Sequence, residues 1–261
     1  MYAFDVTRPA NVAEAIEALK ADEAQALGGG QTLIPTLKQR LASPSALVSL
    51  AGLEEIKGIC MTDGGQLAIG GGTTHAAVAE GAGAYPALAA LAGGIGDPAV
   101  RNRGTIGGSL ANNDPAACYP AAALASAATI VTNTRRIAAD DYFQGMFTTA
   151  LEEGEIITSV EFPVPQAASY QKFEQPASRF AMVGVFVAKY DGGVRVAVTG
   201  ASEEGVFRWS AAEEALSANF SAEAVPAAPG ADGMISDLHG SGAYRAHLIA
   251  VMTKRAVQAA G

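Results

Sequence analysis

Residues that bind metal are scarce in this chain. It has two cysteines, Cys60 and Cys118, which lie far apart and form no C-x-x-C pair, and three scattered histidines, His75, His239 and His247. An iron–sulfur cluster takes four such ligands, so the count leaves too few for one here, and no spacing suggests a zinc site. Metal redox chemistry, if the protein takes part in any, must then lie on a partner. Two distant cysteines do not make a disulfide framework, and the default compartment is the cytoplasm. Long apolar runs are also missing. The longest alanine-rich stretch, Ala121 to Ala128, falls far short of the ~20 residues that span a bilayer. Met1 to Val6 shows no basic stretch followed by an apolar one, so no signal peptide is expected. Bases are outnumbered, 17 Lys and Arg against 26 Asp and Glu, for a net charge of −9. Such a surface repels phosphate backbones and anionic lipid, which argues against nucleic-acid and membrane-surface roles.

What is present is globular. The 261 residues are 49% hydrophobic and 16% charged, enough for one large domain or two modest ones with real cores. The 30 glycines exceed the usual ~7% and cluster, so they read as tight turns and close backbone approaches. Residues 11–21 predict a helix with a capping-box-like start at Asn11 and Glu14 and an apolar face of Val12, Ala15, Ile16 and Leu19. Leu33 to Leu41 returns to helical character, and Ala46 to Leu50 reads as a buried strand. A hairpin follows, Ile56 to Met61 and Gln66 to Gly70 around Asp63-Gly64-Gly65. Short helices are expected at 74–80, 86–91 and 120–128, and strands at 129–132 and 155–162. Pro163 and Pro165 precede a change of character that places a domain boundary near 163–169. Beyond it the pattern predicts strands at 170–173, 180–189 and 194–199, a helix near 211–216, a Pro/Ala/Gly linker at 224–233, and a closing helix from Gly242 to about Ala259. Strands and helices are segregated rather than alternating, which indicates the α+β class.

Two glycine segments, 28–32 and 104–109, each precede apolar structure. Glycine lets backbone N–H groups approach a ligand, and converging N–H groups favour phosphate. The bare pattern admits two readings, a pair of ligand-free tight turns or a clamp on the two phosphates of a dinucleotide. Two familiar motifs are excluded. Gly30 is followed by Gln31-Thr32 with no lysine until Lys38, so there is no P-loop. A Rossmann fingerprint needs an acid about 20 residues on, where this chain has Val48-Ser49-Leu50.

The residues resemble a known family. Gly28-Gly29-Gly30-Gln31-Thr32-Leu33-Ile34-Pro35, and Ile95-Gly96-Asp97-Pro98-Ala99-Val100-Arg101-Asn102-Arg103-Gly104-Thr105-Ile106-Gly107-Gly108-Ser109-Leu110-Ala111, resemble the paired FAD-binding loops of the medium subunit of aerobic carbon monoxide dehydrogenase and its relatives. That family includes the flavin domains of xanthine dehydrogenase and aldehyde oxidases. Tyr170 to Ala181 resembles the start of its C-terminal domain, and Ser236 to Leu248 its end. The resemblance implies an α+β protein with a two-lobed PCMH-type FAD-binding domain at 1–165, the fold shared with p-cresol methylhydroxylase, with lobes at about 1–52 and 53–165. A small α+β domain of the carbon monoxide dehydrogenase flavoprotein type would occupy 166–261. By position, the amides of Gly28, Gly29, Gly30, Gln31, Thr32 and Leu33, and those of Thr105, Gly107, Gly108 and Ser109, would face the pyrophosphate and ribityl region of FAD. Ile95 would lie near the isoalloxazine ring, Ile157 and Lys172 fall where relatives also contact FAD, and Pro176 to Arg179 would help shape the ring side. One departure stands out: many relatives carry an aspartate four residues after Asp114, and this chain has Cys118. Backbone makes that contact, Asp114 substitutes for it, or it is absent.

The implied role is the flavin subunit of a molybdenum hydroxylase. Electrons from a molybdenum cofactor on a large partner subunit would pass through 2Fe–2S clusters on a small one to FAD, and from FAD to an external acceptor, in a dimer of heterotrimers. A stand-alone flavin oxidoreductase and a cofactor-free assembly subunit of the same fold are the other readings. Among individual residues, Asp97 is read as fixing a turn, and Asp140-Asp141 as a helix N-cap. Arg101 and Arg103 either pair with anions or brace a loop. His75 is read as a hydrogen-bonded structural residue and Cys118 as a small buried one. No general acid or base is assigned, because a flavin carries its own chemistry.

Overall fold

In a computed structural model, which describes residues 1–260, the chain opens with β1 (Asp5–Thr7), α1 (Val12–Leu19), β2 (Ala24–Leu27), α2 (Leu33–Lys38) and β3 (Ala46–Ser49). The strands form a parallel sheet in the order β1-β3-β2. The capping expected at Asn11 is present: its side chain accepts the Glu14 amide at 2.8 Å, while the Glu14 carboxylate accepts the Ala10 amide at 2.8 Å. The face of α1 bearing Ala15 and Leu19 is buried with Val48, Leu53, Ile56 and Ile156. That last contact ties this lobe to the next.

The second lobe comprises β4 (Ile59–Met61), β5 (Gln66–Gly70), α3 (His75–Gly81), α4 (Pro86–Gly93), α5 (Pro98–Arg101), α6 (Ile106–Asn112), α7 (Tyr119–Ala125), β6 (Thr129–Thr132), β7 (Arg136–Ala138), α8 (Ala139–Tyr142), β8 (Phe143–Gly145), β9 (Thr148–Thr149) and β10 (Ile157–Pro163). Five strands make an antiparallel sheet in the order β4-β5-β10-β6-β7, and β8 pairs with β9. Leu67, Ile69, Ile130, Val160 and Phe162 from the sheet pack with Val78, Leu88, Leu91 and Leu110 from the helices. Every residue of α7 is buried. This helix lies between α4, α6 and α8 on one side and the strands of the last domain on the other, and its alanines permit that close approach.

The remainder is β11 (Ala167–Glu174), β12 (Ala181–Tyr190), β13 (Gly193–Ser202), β14 (Gly205–Arg208), α9 (Ser210–Ala218) and α10 (Gly242–Ala260). Its four strands form an antiparallel sheet in chain order. Val183, Val185 and Val187 of β12 pack with Leu248, Ile249 and Met252 of α10, while Phe186 and Ala188 face the second-lobe core. A strand covered on both faces reads as one apolar run, as 181–188 does.

The segment 93–120, dense in turn-forming residues, holds two short helices, α5 and α6, between its bends. One expectation is corrected. Asp140 is not an N-cap; Ala138 occupies that position and makes no side-chain cap bond. The Asp140 carboxylate instead accepts from Arg195 at 2.7 Å and Arg208 at 3.3 Å, both from the last domain. The residue serves a contact between chain segments that no local pattern encodes.

Candidate functional site

β2 runs straight into Gly28-Gly29-Gly30. Among the described residues, no backbone or side-chain acceptor takes the amides of 28 to 33. Six consecutive donors without protein partners need water or a ligand. Gly30 adopts φ +75°, which favours glycine. At Gly29 the constraint comes from another segment: a Cβ there would lie 1.8 Å from the Arg103 carbonyl oxygen and 2.8 Å from the Gly104 Cα. The two glycine bends are therefore in direct backbone contact.

A third bend, 70–75, completes the arrangement. The His75 amide donates to Gly104 O at 2.9 Å, Ile106 N to Thr73 O at 3.1 Å, and Gly107 N to Gly71 O at 2.9 Å. A Cβ on Gly107 would meet Gly71 O at 2.6 Å, and one on Gly71 would meet Ile157 O at 2.1 Å. Three chain segments thus stack backbone on backbone, which only glycine allows. Thr105 closes the start of α6 by accepting the Gly108 amide at 3.1 Å.

Between the bends lies a cavity of about 830 Å³, within the range of small-molecule and cofactor sites. Gly28, Gly29, Gly30, Gln31, Thr32, Leu33, Thr105, Gly107, Gly108, Ser109, Asp114 and Ile157 all line it. Ile95 and Lys172 do not. They meet elsewhere, at the turn 94–96. The Lys172 ammonium donates to Gly94 O at 2.7 Å and Arg179 O at 2.9 Å, and Arg101 donates to Ile95 O at 3.0 Å and Gly96 O at 2.9 Å. Arg101 is thus a loop brace, whereas the Arg103 guanidinium makes no ion pair or hydrogen bond among the described residues. Asp97 accepts the Val100 amide at 2.9 Å and caps α5, the turn-fixing role expected of it.

Charge at the lining is nearly all committed to other groups. Lys57 pairs with Glu54 at 2.7 Å. The Glu155 carboxyl is held down at about 2, chiefly by its hydrogen bonds to Arg135 and against burial, with Thr134, the Glu152 amide and Thr132 adding to it. Asp114 accepts the Ala116 amide at 2.8 Å. Its loop is fastened to the last domain, where Thr199 donates to Pro115 O and Ala117 O at 2.7 Å each. Cys118 lies outside the lining and is buried, with burial raising its thiol. Asp114, rather than Cys118, faces the cavity.

Reasoning from the sequence missed Gly71, Gly72, Thr74 and His75 as lining residues. The run Gly70-Gly71-Gly72 was the available signal. His75 is also corrected in character. It is 5% exposed, yet its Nδ1 has no partner, and no hydrogen bond to Nε2 is found either. Among the described residues, no group of three or more His, Cys, Asp or Glu side chains is placed to hold a metal ion, and no helix is long and apolar enough to cross a membrane.

Comparison with known proteins gives a consistent set of relatives. Residues 2–165 match the family model described as the FAD binding domain in molybdopterin dehydrogenase. The chain is 33% identical to the carbon monoxide dehydrogenase medium chain of Hydrogenophaga pseudoflava, over 98% of this chain and 96% of that one. It is 34% identical to the nicotine 6-hydroxylase medium subunit of Paenarthrobacter nicotinovorans, over 97% and 95%. Among solved structures, carbon monoxide dehydrogenase from Hydrogenophaga pseudoflava superposes with a TM-score of 0.89 at 33% identity, covering 99% of this chain and 97% of that one.

Proposed function

The chain belongs to the FAD-binding family of the molybdopterin dehydrogenases, and we propose that it is the FAD-carrying electron-transfer subunit of a heteromeric molybdenum hydroxylase. The observation that carries this reading is the set of partnerless amides from 28 to 33, facing the 104–109 bend across one cavity. When bound, FAD supplies the redox chemistry, while the protein fixes its position and electrostatics.

The residues present fit that cofactor. The free amides of Gly28 to Leu33 would hold the diphosphate, because converging N–H groups match its charge without needing a lysine. The amides of 106 to 109, expected to join them, are instead spent on Thr73, Gly71 and Thr105, so the second bend would shape the wall opposite. Arg103 adds a cation at the same lining that no protein anion neutralises. Leu27, Leu50, Ile156 and Ile157 supply apolar walls that exclude water from the nucleotide. Ile95 and Lys172 stand outside this cavity, where the Lys172 ammonium is held by two carbonyls, so only the resemblance places them beside the ring. Neither a nucleophile nor a proton shuttle is required of this chain.

The molybdenum cofactor and 2Fe–2S clusters belong, on this reading, to a large and a small partner subunit. Electrons reach this subunit from the clusters and leave to an external acceptor, and the whole is a cytoplasmic dimer of heterotrimers. Support for partners comes from the relatives, which are medium chains or subunits by name. Purification from its native source tests the proposal. The expected result is a complex of three chain types containing FAD, molybdenum and iron. A lone, flavin-loaded chain that itself turns over a small molecule would replace the proposal with the stand-alone oxidoreductase.

A further inference from the structure

Resting on the nucleotide reading above, we propose that His75 is an additional binding residue for the diphosphate, taking up a proton as the anion settles between the bends. Three observations lead there. First, the imidazole lines the cavity although the residue is 95% enclosed, being 5% exposed. Second, neither ring nitrogen has a hydrogen-bond partner among the described residues: Nδ1 is sealed in the interior, which leaves Nε2 as the atom to meet a ligand. Third, the bend is shaped around it. A Cβ on Gly104 would lie 2.5 Å from Nε2, so glycine at 104 is what lets the ring pack beneath the phosphate-facing loop.

The ring's surroundings leave it neutral until an anion arrives. Burial alone pushes its pKa down to about 4. Its own helix α3 carries one charged residue, Glu80, five positions on; the neighbouring helices α4, α6 and α7 carry none, and α7 contributes the Tyr119 ring at 5.3 Å. On α5, Arg101 is turned to the carbonyls of 95 and 96 and Asp97 to the Val100 amide. At the cavity lining, Lys57 and Glu155 are already ion-paired, leaving Arg103 and Asp114. A phosphate anion in the cavity would add negative charge beside the ring, and it would favour the protonated form with Nε2–H as the donor.

Proton NMR of the full chain tests this, since only three histidines contribute and His75→Gln assigns the resonance. The probes are inorganic pyrophosphate and FAD, added separately. The expected result is a His75 titration midpoint that rises by about three pH units with either probe, far enough for the ring to be protonated near neutral pH, while His239 and His247 stay fixed. FAD affinity of His75→Gln should fall about tenfold, whereas a packing role alone would leave the wild-type midpoint unmoved. If FAD binds and the His75 midpoint stays put, the inference is wrong and the flavin reading survives. If pyrophosphate moves His75 but FAD does not bind, the inference stands and the flavin reading falls. If neither probe binds, both are overturned.

Discussion

Gly29→Ala is the sharpest perturbation of this site, because a single methyl group meets only backbone. The added Cβ would lie 1.8 Å from the Arg103 carbonyl oxygen, 2.4 Å from its carbonyl carbon and 2.8 Å from the Gly104 Cα. An ordinary carbon–oxygen contact is about 3.3 Å, so the bends must part by about 1.5 Å. No side chain can rotate to absorb that movement. Opening by that amount stretches a hydrogen bond of about 2.9 Å well beyond the distance at which it counts as one. Hydrogen bonds to a charged group contribute about 1.5–3 kcal/mol each. Loss of two across the gap weakens FAD by about 3–6 kcal/mol, or about 10²- to 10⁴-fold. The assay is titration of apoprotein with FAD, followed by quenching of flavin fluorescence, with far-ultraviolet circular dichroism to confirm folding. Two further variants calibrate it. A Cβ at Gly28 meets only Thr105 Oγ1, at 3.2 Å, and a small shift that keeps the Thr105 cap on α6 relieves it, so Gly28→Ala should cost less than about tenfold. A Cβ at Gly83 meets nothing within 4 Å, and Gly83→Ala should bind as wild type does. A folded Gly29→Ala protein that binds FAD within about threefold of wild type would refute the reasoning.

Two predictions concern stability. Arg245 is 2% exposed and donates to Met182 O at 2.6 Å, Gly200 O at 2.8 Å and both carboxylate oxygens of Asp237. Arg245→Met strands those acceptors and should destabilise the chain by about 3 kcal/mol, read as a lower urea midpoint at unchanged m-value. A midpoint equal to wild type would show that water replaces the guanidinium at no cost. Glu155, with its carboxyl at about 2, titrates below its unfolded value. Its contribution is therefore present above the unfolded pKa of about 4.3 and is lost as pH falls through the folded value. Glu155→Gln should melt a few degrees below wild type at neutral pH, and the two curves should converge as pH falls from about 4.3 toward 2. A gap in melting temperature that does not change with pH would remove Arg135 as its cause.

Some of this was legible in the residues and some was not. Helix α1 and the bend at Asp97 were readable because Asn11 and Asp97 act on amides three residues away, although the one-turn helix α5 that follows Asp97 was not expected. Strand β12 was readable because burial on both faces leaves an unbroken apolar run. Strands β1, β7, β8 and β9 are two or three residues long, too short for any period to register. Asp140 was misread because its partners, Arg195 and Arg208, lie more than fifty positions away. His75 looked like an ordinary core histidine, since a sequence cannot display a missing hydrogen bond.

By itself the sequence determined that the chain holds too few ligands for a cluster, that its net charge is acidic, and that two glycine-rich segments allow close backbone approach; that only the first leaves its amides free was decided by the fold. Resemblance of those bends to a known family named the cofactor. The tertiary structure alone decided that residues near 29, 71 and 104 touch, that Ile157 forms the base of the stack, and that Ile95 and Lys172 gather at a separate turn. The physical reason is that glycine at 29, 71 and 107 is required by carbonyl oxygens of other segments. Propensity and periodicity act over a few residues, whereas contact between distant backbones is set only when the lobes pack.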